Sequence, residues 1–146
     1  MDPLSITVGV ASLLGCCLST GVALRQFRIG ASEVNSVITA MMADLRAFRT
    51  VLESLETTFE DMNSDRPETG HIGAHWNNIS QLLDDCQQSL VKLQLVIEDV
   101  SKQVKILDRA RKQIRIKVAA DQIITCRQEV QTYKDALQLS LQTITL

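Results

Sequence analysis

The chain has 146 residues, of which 45% are apolar and only 3% aromatic, and its net charge is −2. That length suits one domain with a core that needs no disulfide staples. The scarcity of aromatics argues against a β-sandwich or barrel, and the acidic balance argues against general nucleic-acid binding. Only Pro3 and Pro67 interrupt a sequence rich in helix formers. The expected fold is all-α: a single-domain helical bundle, residues 1–146, of about four to five helices.

The first element is an uncharged stretch of 22 residues, Pro3 to Leu24. Asp2 suits an N-cap with Pro3 at the first helical position. Arg25 and Arg28 complement the dipole at the far end, and Gly30 is a natural stop, so an apolar helix is expected over about 3–28. At 1.5 Å per residue the uncharged stretch would be about 33 Å long, near the roughly 30 Å hydrocarbon thickness of a bilayer. At 100° per residue Ser5, Gly9, Ser12, Cys16, Ser19 and Ala23 form a stripe of small side chains. Ile6, Val10, Leu13, Leu14, Cys17, Leu18 and Leu24 form a greasier face beside it. Small stripes let helix backbones approach closely in a bundle or a membrane. The segment's Leu, Ile and Val residues give an insertion free energy of only about −3 to −5 kcal/mol before the polar and small residues subtract from it. That marginal value suits a helix sheltered in a bundle and released later; the alternative is a core helix that never leaves.

The helical core is expected over about 32–146. A second helix starts near Ser32, with Val34, Ile38, Met41, Leu45, Phe48, Leu52, Leu55, Phe59 and Met62 stepping by four and three, a heptad seam. Asn63 to Gly73 reads as a loop punctuated by Pro67, Gly70 and Gly73. A third helix, with Trp76 near its start, repeats the seam through Ile79, Leu83, Cys86, Leu90, Leu93, Ile97, Val100, Val104 and Leu107. The two matched seams predict a long antiparallel helical hairpin. A break is expected between about Asp108 and Val118. A last helix then carries Ile123, Cys126, Val130, Tyr133, Leu137, Leu141 and Ile144 on one face, and runs on without a stop signal, as in a domain that continues into further chain.

Charge is distributed unevenly. Glu53, Glu56, Glu60, Asp61, Asp65 and Glu68 make an acidic stretch, whereas Lys102, Lys105, Arg109, Arg111, Lys112, Arg115 and Lys117 make a basic run. The run would attract anionic lipid headgroups at about 1 kcal/mol per suitably placed base, or bind a protein partner. The alternatives are a solvated helix face or a partner for the acidic stretch within the same molecule. Cys16–Cys17, Cys86 and Cys126 form no disulfide framework, and without a readable secretory signal reduced cytoplasmic thiols are expected. His71 and His75 lack further ligands at a metal-site spacing, so no metal or cofactor is expected. No phosphate loop, dinucleotide fingerprint or H-E-x-x-H motif occurs, and no catalytic role is expected.

The opening Met1-Asp2-Pro3-Leu4-Ser5-Ile6, the uncharged helix behind it, and Tyr133-Lys134-Asp135-Ala136-Leu137-Gln138-Leu139-Ser140-Leu141 resemble the fungal HeLo-like N-terminal domain of NLR-type (STAND) receptors. The resemblance implies a bundle that triggers regulated cell death in heterokaryon incompatibility or innate immunity. Such a domain is cytoplasmic, self-associates on activation and is recruited to the plasma membrane. Carried onto this chain, the membrane-inserting segment would comprise Leu4, Ile6, Gly9, Val10, Leu13, Leu14, Gly15, Leu18, Gly21 and Leu24, with anionic lipids as partners. The competing expectation is a homotypic adaptor that relays receptor oligomerisation to another protein without touching lipid.

Overall fold

The computed structural model describes residues 3–30, 34–65 and 70–145. Among them the chain forms four helices and no strand: α1 (Pro3–Gly30), α2 (Asn35–Asp65), α3 (Gly70–Gln103) and α4 (Arg109–Thr145). The expected caps Asp2 and Ser32 lie outside the described residues.

The helices assemble because each buries one heptad seam. Val34 is buried just before α2, and in α2 the buried residues are Ile38, Met41, Leu45, Phe48, Val51, Leu52, Leu55 and Phe59; in α3 they run from Ile79 to Val100 at the predicted positions. Trp76 packs edge-on against Phe59, with ring centroids 6.0 Å apart. In α1 the buried series is Ile6, Val10, Leu13, Cys17, Thr20, Leu24 and Phe27, again in steps of four and three. In α4 it begins at Ile116 and Ala119 and continues through Ile123, Cys126, Val130 and Leu137.

Neighbour relations follow from the contacts along these helices. α1 packs on α2 and α3, and α4 packs on α3 and α2; among the described residues no backbone packing joins α2 to α3, or α1 to α4. The order around the bundle is therefore α1, α2, α4, α3. The two seamed helices run antiparallel but face each other across the diagonal, meeting through core side chains such as Phe59 and Trp76. A heptad seam states only that a face points at the core, and in a four-helix core the side chain opposite belongs equally to an adjacent or a diagonal helix.

Two boundaries differ from the sequence reading. The expected loop over 63–73 is shortened from both sides, because α2 continues to Asp65 and α3 already starts at Gly70. Asn63, Ser64 and Asp65 include neither Gly nor Pro, and the helix runs on through them. The break between the last two helices falls at 104–108 instead of 108–118. Its cause is a cap: Asp108 Oδ1 accepts the Arg111 backbone N–H at 3.0 Å, and its carbonyl accepts the Lys112 N–H at 2.8 Å. Asp108 is thus the N-cap of α4, and Ile116, expected in the break, and Ala119 just beyond it are core.

Candidate functional site

α1 is the unusual element, since its apolar residues are spread around the whole circumference instead of being gathered on one face. Such a helix is ordinarily enclosed on all sides or embedded in lipid. Here only its inner seam is covered. Val8, Leu18 and Val22 are 63%, 53% and 49% exposed, with Ala11 and Gly15 also on the outside. Residues 8, 11, 15, 18 and 22 thus make a second, outward stripe with helical spacing and no charge. The segment Ile6–Phe27 has the length and composition to cross a bilayer, and a third of it is buried in the bundle.

The residues expected to insert are accordingly split. Ile6, Val10, Leu13 and Leu24 are buried, Gly9, Leu14 and Gly21 are half-buried, and Gly15 and Leu18 are exposed. The side chain of Leu4 lies outside the described residues. The small-residue stripe faces α3, with an ideal Cβ on Gly9 in ordinary contact with Leu83 at 3.5 Å and Ser12 Oγ donating to Gln87 Oε1 at 3.3 Å. Gln94 of α3 donates to Thr20 Oγ1 at 2.7 Å, while Thr20 donates to the Cys16 carbonyl at 2.8 Å. Thr20 is the one buried polar residue in the described core, and this pairing satisfies it. Its polarity conceals this one seam position from a hydrophobic-pattern reading, which finds Ile6, Val10, Leu13, Cys17 and Leu24.

All four cysteines are buried and free. Desolvation in the core pushes the Cys17 and Cys126 thiols up to about 12, helped by neighbouring thiols at Cys17 and by Glu129 at Cys126. Burial also raises Cys86 and Cys16. Protonated, enclosed thiols are poor nucleophiles, and no group of three or more potential metal ligands converges among the described residues. The side chains of His71 and His75 lie outside those described.

The basic run is divided between elements: Lys102 ends α3, Lys105 sits in the turn, and Arg109, Arg111, Lys112, Arg115 and Lys117 lie on the first turns of α4. All are exposed except the half-buried Lys112. Exposed apolar side chains interleave with them, namely Ile106 (85%), Ile114 and Val118. α2 and α4 are parallel neighbours, since Val34 lies beside Ile116 and Lys117 and Asp44 pairs with Arg127 at 2.6 Å. Glu53 therefore lies roughly 28 Å further along the axis than the basic run. The bundle carries its bases at one end and its acids towards the other, which removes the expectation that the two stretches pair within one molecule.

No curated protein and no solved structure matches the chain. A family model, described as Pigment biosynthesis cluster protein PigL N-terminal, matches residues 1–146. The chain belongs to that PigL N-terminal family.

Proposed function

We propose that this domain is a membrane-targeting cell-death effector of the HeLo-like type, which acts without catalysis and is activated by oligomerisation. The observation that carries the reading is α1, a span-length helix without charge over Pro3 to Leu24 that is apolar on the side away from the core as well as towards it. A permanent core helix gains nothing from Val8, Leu18 and Val22 on its outer face, whereas a helix that exchanges protein for lipid needs apolar groups all round. In the resting state the inner seam and the Thr20–Gln94 pairing hold α1 down. Clustering shifts the population towards a state with α1 exposed, provided membrane or partner copies bind that state more tightly by a few kcal/mol. The basic end, with Ile106 at its tip, meets anionic headgroups as α1 enters the plasma membrane from the cytoplasmic side.

Dye release from anionic vesicles by the clustered full chain tests this. Release is expected, and removal of residues 1–24 abolishes it. Clustered chain that leaves such vesicles intact contradicts the reading.

A second reading draws on the helical spacing of Val8, Ala11, Gly15, Leu18 and Val22, which fits another helix as well as lipid. In this reading the domain is a homotypic adaptor whose copies pair through that stripe. Leu18→Glu then abolishes self-association in solution, with vesicles untouched by the parent chain.

A further inference from the structure

Between α1 and α2 lies a cleft of about 90 Å³ whose rim carries three arginines, Arg25 from α1 and Arg46 and Arg49 from α2. Its floor is apolar, formed by Cys17, Met42 and Leu45. Arg49 Nε is buried without a hydrogen-bond partner, an arrangement that costs the desolvation of a charged donor unless something accepts from it. No carboxylate does so among the described residues. Asp44, on the same helix, is engaged by Arg127, and Glu53, one turn beyond Arg49, forms no ion pair with it. The charge of Arg49 is felt at the floor, where it opposes the rise of the Cys17 thiol. Gly21 opens the wall, since an ideal Cβ there meets nothing within 4 Å. A water's share of liquid volume is about 30 Å³, so the space suits a group the size of a phosphate.

Three arginines lining one small cleft, with no ion pair to any of them among the described residues, form a receptor for a compact, multiply charged anion. We propose that the Arg25–Arg46–Arg49 cleft binds a phosphate monoester, so that the bound group ties α1 to α2. Because the ligand contacts both helices only when α1 is seated, its binding stabilises the closed bundle by mass action. The site is separate from the basic run and does not depend on the membrane reading: a chain inert on vesicles yet stabilised by phosphate retains it.

The test is thermal unfolding of the full chain in inorganic phosphate against chloride of equal ionic strength. The melting temperature is expected to rise specifically in phosphate. Arg25→Gln and Arg49→Gln each weaken the dependence roughly tenfold or more, while Arg111→Gln with Arg115→Gln leaves it intact. Gly21→Leu fills the cleft with every charge kept, and abolishes the response. Absence of a phosphate-specific rise, or a rise of equal size in Arg49→Gln and Gly21→Leu, overturns the proposal. Glycerol 1-phosphate and vesicles containing phosphatidic acid separate the two sources of the group. Stabilisation by the soluble ester assigns a free ligand, and Arg49-dependent binding to the vesicles alone assigns a lipid headgroup.

Discussion

The side-chain amide of Gln94 donates a 2.7 Å hydrogen bond to the hydroxyl of Thr20, joining α3 to the one polar position in the buried seam of α1. The same amide lies 3.4 Å from the Cys16 carbonyl, so one residue of α3 secures a full turn of α1. A hydrogen bond of this kind contributes about 0.5–1.5 kcal/mol net, and an orphaned partner costs more. Gln94→Ala is expected to lower stability by about 1–2 kcal/mol and to speed amide exchange in α1 more than in α2. Hydrogen exchange resolved by helix measures it, and uniform loss of protection would show that Gln94 has no special hold on α1.

Leu13 and Leu18 separate the two faces of the same helix. Leu13 is fully buried and Leu18 is half exposed. Leu13→Ala is expected to cost about 2–5 kcal/mol and to lower the clustering needed for vesicle leakage. Leu18→Glu should leave the denaturant midpoint nearly unchanged, as surface substitutions do, and should suppress leakage. Urea titration and dye release on the two variants measure both effects.

The buried thiols set an alkaline limit on stability. Cys17 and Cys126 are raised from 9.0 to about 12 in the folded chain. The unfolded chain therefore releases these protons first, and their contribution is complete below about pH 9 and declines from there to about pH 12. Each such thiol steepens the loss by about 1.4 kcal/mol per pH unit within that window. Urea midpoints at about pH 8 and about pH 10 should show a smaller fall for Cys126→Ala than for the parent chain. An identical fall in both would contradict the assignment.

Asp108 starts α4 by capping it. Asp108→Ala removes the acceptor for the Arg111 N–H and is expected to cost about 1 kcal/mol, whereas Asp108→Asn retains most of it. Thermal unfolding of the two variants checks the order.

Much of this architecture was legible in the sequence, for a physical reason. The α2 and α3 seams are strictly apolar at heptad positions, so their buried faces could be read directly. The inward side of α1 could be read only in part: Ile6, Val10, Leu13, Cys17 and Leu24 of the greasier face are buried, whereas Leu18 of the same face is exposed and the seam position Thr20 is polar. The turn at 104–108 carries no Gly or Pro, and its signal was the capping side chain of Asp108, followed by Ile116 and Ala119 in phase with the later α4 seam. The diagonal placement of α2 and α3 was hidden because periodicity encodes a face and not a neighbour. The arginine cleft was hidden because antiparallel packing of α1 on α2 unites residues more than twenty positions apart.

Release of α1 is the step on which the membrane mechanism turns. Hydrogen exchange across Ile6–Phe27, with the full chain clustered through an inducible dimerisation tag in the absence of lipid, measures that step directly. The account predicts that these amides lose protection on clustering while the α2 and α3 seams keep theirs. Amides in α1 that stay as slow as those around Leu90 and Leu93 in the clustered state would contradict it.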